Sequence, residues 1–124
     1  MLASALGRRD YVLLTTLRKN GQAVPTAVWF ALAGDDKAYF MTGPETGKAR
    51  RIRNNPSIQL APSNPRGQAK GPAVNAMARL LQGAEADAAQ VALKKKYGLQ
   101  WTIFGFVARL RGFGNPVFYE VSAT

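Results

Sequence analysis

A chain of 124 residues is long enough for one domain and too short for two. Its 47% hydrophobic and 19% charged residues describe a folding sequence, and the absence of Cys and His removes disulfides, thiolate nucleophiles, imidazole bases and His- or Cys-ligated zinc. Seventeen Lys and Arg against seven Asp and Glu leave a net charge of +10, which calls for an anionic partner or a strongly solvated face.

In chain order, Met1 to Leu6 is too short for a secretory core and meets Arg8, Arg9 and Asp10 at once, so a cytoplasmic location is expected. Tyr11 to Leu17 and Val24 to Leu32 read as two strands of a hairpin around Lys19-Asn20-Gly21-Gln22. Gly34-Asp35-Asp36 turns the chain into a third strand, Lys37 to Thr42, with Tyr39 and Met41 on one face and Ala38 and Phe40 on the other. Glu45 to Asn54 reads as a short, very basic helix with Thr46 as N-cap, Ala49 and Ile52 as its apolar stripe and Asn55-Pro56 as its stop. Ser57 to Pro62 and Val74 to Leu81 form the fourth and fifth strands, joined through a Gly- and Pro-rich connection from Ser63 to Pro72. Ala84 to Tyr97 is a second helix, with Glu85 and Asp87 expected in its first turn, Lys94, Lys95 and Lys96 in its last and Gly98 as C-cap. Leu99 to Arg111 has apolar residues at helical spacing and closes at Gly112, and Val117 to Ser122 is the sixth strand. The fold class is therefore mainly β, a single six-stranded antiparallel barrel over residues 1–124 with peripheral helices. The most apolar stretch, Leu99 to Leu110, contains Gln100 and Arg109 and is shorter than the roughly 20 residues of a membrane span, so no stable membrane insertion is expected.

The charge excess is regional. Between Lys48 and Arg111 lie twelve Lys and Arg against Glu85 and Asp87 alone, whereas the flanking segments balance. At the head of that region, Thr42-Gly43-Pro44-Glu45-Thr46-Gly47-Lys48 takes a strand through a Gly/Pro turn into a helix. The first N–H groups of a helix are unpaired and sit at the positive end of its dipole, so a phosphate suits that position, with Lys48 and Arg51 three apart on one face. The spacing is not that of the nucleotide P-loop, and a capped surface helix with solvated cations is the alternative reading.

Further stretches occur in a telling order. Leu13-Leu14-Thr15-Thr16-Leu17-Arg18-Lys19-Asn20-Gly21, Val28-Trp29-Phe30, Tyr39-Phe40-Met41-Thr42, Thr46-Gly47-Lys48 through Arg53-Asn54-Asn55-Pro56, Ala61-Pro62, Arg66-Gly67 and Gly71-Pro72-Ala73-Val74 follow one another. In that order the chain resembles the flavin and deazaflavin split-barrel proteins, and more narrowly the deazaflavin (coenzyme F-420) branch of the pyridoxamine 5'-phosphate oxidase superfamily. The resemblance runs from about Tyr11 to Arg111. It implies a six-stranded split barrel that forms a homodimer, with cofactor in a groove at the subunit interface. It also implies that the backbone of Thr26, Ala27, Val28 and Trp29 contacts the cofactor ring, that Thr42, Thr46, Gly47, Lys48 and Arg51 hold phosphate, and that Ala61, Pro62, Arg66 and Gly67 line the same groove. Thr46 stands where serine is usual, and Ala27 where proline is common.

Coenzyme F-420 carries several negative charges on an extended arm, whereas FMN ends in one phosphomonoester, so the spread of cations favours F-420, with FMN as the alternative. Heme is disfavoured because no His is present as an axial ligand. Hydride transfer from a reduced deazaflavin to a small conjugated substrate needs no protein acid or base, so no catalytic side chain is assigned. Tyr97, Trp101 and Tyr119 read as core aromatics before substrate contacts. A non-catalytic cofactor carrier of the same fold is the nearest rival. A nucleic-acid-binding barrel is the remote one, because Trp29, Phe30, Tyr39 and Phe40 are not interleaved with basic residues.

Overall fold

The computed structural model describes residues 2–6, 10–44, 46–103 and 116–124. Six strands, β1 (Tyr11–Leu17), β2 (Ala23–Leu32), β3 (Lys37–Thr42), β4 (Ser57–Ser63), β5 (Val74–Leu80) and β6 (Val117–Ala123), close into an antiparallel barrel in the order β1-β2-β3-β6-β5-β4. Three helices accompany them, α1 (Leu2–Leu6), α2 (Gly47–Asn54) and α3 (Gly83–Tyr97). The strands expected from alternation are all present, with ends that move by at most one residue. At the first hairpin Gly21 takes the left-handed conformation its turn requires, φ 86°.

Alternation explains the core. Val12, Leu14 and Thr16 of β1, Val28 and Phe30 of β2 and Ala38 and Phe40 of β3 point inward, where they meet Ile58 and Leu60 of β4 and Tyr119 and Val121 of β6. Leu2 and Leu6 of α1, spaced one helical turn apart, complete this core from one end of the barrel. Sequence reasoning left α1 out, since five residues without a cap carry no helix signal of their own. Ile52 of α2 enters the same core. A second apolar cluster lies outside the barrel, where Ala89, Leu93 and Tyr97 of α3 pack on Ala31 and Phe118, with Trp29, Tyr39 and Met41 beside them. Tyr39 and Met41 thus share the face opposite Ala38 and Phe40, as expected.

The α2 helix begins at Gly47 and has Thr46 as its N-cap, while Glu45 lies outside the described residues. In α3 only Glu85 falls in the first turn, because the helix starts at Gly83 and leaves Asp87 one turn deeper; Gly98 caps its end with φ 54°. The expected third helix is seen over residues 99–103, and its remainder with the closing Gly112 lies outside the described residues. No helix among the described residues is long and apolar enough to cross a membrane.

Candidate functional site

The barrel is not equally sealed all round. Every residue of β2 from Ala23 to Trp29 pairs with β1, but β3 pairs with β2 only at Phe30, Ala31 and Leu32. Beyond Phe40 the third strand stays with β6, Thr42 opposite Val117, and then leaves through Gly43 and Pro44 into α2. As β3 turns away into α2 it therefore leaves the edge of β2 from Ala23 to Val28 uncovered by a strand. The backbone groups of that edge that face away from β1 have no strand partner among the described residues.

Hydroxyls hold the turn. The Thr46 hydroxyl donates to the Gly43 carbonyl at 3.0 Å and accepts from the Ala49 amide at 3.3 Å, which leaves the Thr42 hydroxyl to donate to Thr46 Oγ1 at 2.9 Å. Both threonine hydrogens are thereby committed within the cap, and these side chains shape the helix entrance. The amides of Gly47 and Lys48 have no hydrogen-bond partner among the described residues, as expected for the first residues of a helix.

Two cations stand at those amides. Arg51 donates from Nε to the Thr16 hydroxyl at 2.6 Å, which anchors α2 to the end of β1 through an otherwise buried polar group, 1% exposed. Its guanidinium then folds back over the first turn: a Cβ at Gly47 would lie 2.7 Å from Arg51 Nη1, so glycine makes room for it. Lys48 is beside it, and burial first, then the Arg51 charge, push its ammonium below the usual lysine range. Among the described residues no carboxylate pairs with either cation. A half-buried ammonium next to a second cation, with no acid between them, favours an anion that neutralises both. The arrangement of two open amides, a helix N-terminus, an ammonium and a guanidinium is chemically a seat for a phosphate-sized anion.

The residues expected at the site fall into two groups. Thr42, Thr46, Gly47, Lys48 and Arg51 meet at the start of α2, and Thr26 lies on the open edge of β2 with the same inward register as Val28 and Phe30. The Val28 side chain is in the core, so only its backbone is available at that edge. The second group lies on the outer face of the barrel, where Ala27, Leu13 and Ala61 stand side by side across β2, β1 and β4. Gly67 lies over Leu13, at 3.9 Å from a built Cβ to Leu13 Cδ1, in a loop that Asn64 organises by accepting from the Arg66 and Gln68 amides. Pro62 accepts from the Lys70 amide beside it, and Arg66 is exposed. Within one chain, therefore, Ala61, Pro62, Arg66 and Gly67 do not converge on Lys48 and Arg51.

Trp29 belongs to neither group by its ring, which stacks on Tyr97 at 4.2 Å and 10°. The Tyr97 hydroxyl sits where β1 and β2 part, accepting from the Phe30 amide at 2.9 Å and donating to the Asp10 carbonyl at 2.5 Å. Thr16 is the residue that sequence reasoning missed. A hydroxyl at an inward position of β1, in register with Val12 and Leu14, is the signal that marks it.

The family profile described as pyridoxamine 5'-phosphate oxidase matches residues 2–124. Among solved structures, the fold is shared with the heme storage protein HutZ from Vibrio cholerae, at TM-score 0.70 and 12% identity over 94% of this chain and 82% of that one. An F-420 reductase matches at TM-score 0.60 and 20% identity, covering 98% of this chain and 92% of its own. A heme binding protein from Mycobacterium smegmatis matches at TM-score 0.62 and 16% identity, over 91% of this chain and 46% of that one. No curated protein matches the chain.

Proposed function

The chain belongs to the pyridoxamine 5'-phosphate oxidase family, and from that premise we propose that it binds coenzyme F-420 between the uncovered edge of β2 and the start of α2 and works as an F-420-dependent oxidoreductase. The observation that carries the reading is the pairing of Lys48 and Arg51 at the open amides of Gly47 and Lys48 with no acidic partner among the described residues. Lys48 and Arg51 bind the phosphate, and the Thr42–Thr46 hydroxyl pair holds the turn that presents the amides. The unpaired edge of β2 from Thr26 offers backbone donors and acceptors to a polar ring edge. When bound, the reduced deazaflavin supplies the hydride, and the protein supplies orientation and electrostatics. Apart from Arg79 and Lys96, which the fold engages around α3, the cations from Lys48 to Arg111 suit the long anionic arm of F-420 better than the single phosphate of FMN, and a chain without His offers heme no imidazole ligand.

The site is completed in a homodimer on this reading. The outer faces of β1 and β4, with the first half of β2, present the uncharged side chains of Leu13, Thr15, Leu17, Ala27 and Gln59 in a chain of net +10, with Ala61 buried beside Leu13. A groove of about 400 Å³ runs along these faces past Thr15, Gln59 and Met77. A second copy seated there brings the Ala61–Gly67 group toward cofactor in a way one chain does not.

Fluorescence titration of the purified protein with F-420 and with FMN tests the assignment. F-420 binds more tightly than FMN, and Lys48→Met weakens F-420 binding by about tenfold to a hundredfold, the value of one charge-assisted hydrogen bond. An unchanged dissociation constant in Lys48→Met removes the phosphate seat from α2, and tighter binding of FMN moves the protein to flavin chemistry. Oxidation of reduced F-420 in the presence of a conjugated acceptor separates an enzyme from a carrier.

A further inference from the structure

The α2 helix crosses one end of the barrel with Ile52 pointing in, so its two flanks face different strands. The Arg51 flank faces β1, where Thr16 receives it. On the other flank, the helix and the turn before it stand off from the ends of β5 and β6 and leave a recess of about 150 Å³. Its walls are apolar, formed by Pro44, Ile52, Ala78, Leu80 and Val117, and among the described residues the polar side chains that line it are Arg53 and Tyr119.

Tyr119 is 3% exposed, and its ring stacks on Phe40 at 4.9 Å and 10°, which fixes the direction of the hydroxyl. That hydroxyl has no hydrogen-bond partner among the described residues. It is not sealed in the core either, since no fully buried side-chain oxygen lacks a partner, so it opens on the recess. A phenol this buried would normally be paired. Burial holds its pKa above the usual tyrosine range, with the Arg53 charge acting in the opposite direction, so it enters the recess as a donor. Arg53 itself is exposed at the rim and has no hydrogen bond or ion pair among the described residues.

A single cation and one hydroxyl donor at the end of an apolar recess match one negative charge on an apolar body. A phosphate dianion would leave charge unneutralised against Ile52 and Val117, which is costly. The volume is below the roughly 300–1,000 Å³ of sites for drug-sized ligands, so the recess admits a single ring or a short acyl chain. We propose that this recess is a second binding site, separate from the Lys48–Arg51 seat, that takes a small monocarboxylate of about the size of benzoate, with Arg53 pairing with the carboxylate and the Tyr119 hydroxyl donating to it.

Benzoate is the probe, titrated into the full chain by calorimetry or by chemical shift. A dissociation constant of about 1 mM is expected for so small a ligand. Arg53→Gln weakens binding about tenfold and Tyr119→Phe about fivefold, the latter keeping the ring stack, and neutral benzyl alcohol binds at least about tenfold more weakly than benzoate. Lys48→Met leaves benzoate affinity unchanged. Absence of saturable binding up to about 20 mM overturns the proposal, a range that covers affinities well weaker than the one expected. Equal affinity in wild type and Arg53→Gln also overturns it, and loss of binding in Lys48→Met with retention in Arg53→Gln assigns benzoate to the other flank instead.

Discussion

Helices α2 and α3 lie against the same barrel and satisfy their charges in opposite ways. Around α3, Arg79 of β5 bridges Glu85 at 2.7 Å and Glu120 at 3.2 Å, and Glu120 also meets Lys37 of β3. The guanidinium beside Glu85 holds that carboxyl below the usual range. At the helix's other end, Lys96 donates to the Phe30 carbonyl at 2.8 Å and lies 3.6 Å above the Phe30 ring, while the Tyr97 hydroxyl closes the gap between β1 and β2. Around α2, by contrast, Lys48, Arg51 and Arg53 have no carboxylate partner among the described residues. Ion pairs that close on themselves hold a fold together, and cations left open next to helix amides are what a ligand completes. The contrast predicts that substitutions at α3 are read in stability and substitutions at α2 in binding.

The largest effect is expected at Leu93, which is fully buried between α3 and the barrel. Leu93→Ala should lower stability by about 2–5 kcal/mol in denaturant unfolding, through lost transfer energy and the cavity left behind. The Lys48–Arg51 seat is on another element, so the anion affinity of the folded fraction should be unaltered. A parallel loss of affinity would mean that α3 and α2 are coupled and the contrast is false.

Next comes Tyr97→Phe. The ring remains to stack on Trp29, but the Phe30 amide loses its acceptor and the Asp10 carbonyl its donor. A cost of about 1–3 kcal/mol is expected for an amide left without a partner where β1 and β2 diverge. Thermal unfolding of the variant measures it, and an unchanged midpoint would show that water replaces the hydroxyl there.

At α2 the sign reverses. Lys48→Met removes an ammonium that burial and Arg51 both disfavour while keeping an apolar stem of similar length. Stability should stay within about 0.5 kcal/mol of wild type or rise, even as F-420 affinity falls. A clear loss of stability would place Lys48 among structural residues.

Much of this contrast was legible in the residues themselves. Alternation in Tyr11–Leu17 and Lys37–Thr42 set the strands and their faces, because a barrel buries one side of each strand. The Thr46 cap and the Lys48–Arg51 spacing were equally local. What was not legible depended on closure. The β1–β4 ladder places Ala61 next to Leu13 on the outer face, so within one chain the residues expected around a shared groove stand in two places that only a second copy would join. The partner of Thr16 is 35 positions away in Arg51, and Arg53 shares the walls of one recess with Tyr119, both pairs brought near only when α2 lies across the barrel end. No periodicity records such pairs.

The smallest expected effect concerns Lys96. The residue as a whole is exposed, yet its Nζ is drawn onto the Phe30 ring and carbonyl, where burial lowers its pKa to about 8, with the Asp10 charge opposing the shift. A lysine whose pKa is lower in the folded chain than in the unfolded one penalises folding while it is charged in both states, below pH 8. That penalty is relieved as pH rises from about 8 toward the ordinary lysine value of about 10.4. Over that window the Lys96 contribution to stability should therefore increase with pH. The raised pKa values of Tyr97 and Tyr119 act in the opposite sense, since a phenol held protonated by the fold loses stability as pH climbs past its unfolded value. Subtracting the unfolding free energy of Lys96→Met from that of wild type at each pH removes the tyrosine contributions and isolates the lysine. The difference should grow in favour of wild type between pH 8 and about 10. A flat difference would mean that the Phe30 ring and carbonyl stabilise the ammonium as much as burial penalises it, and the closed chemistry around α3 would then extend to its last turn.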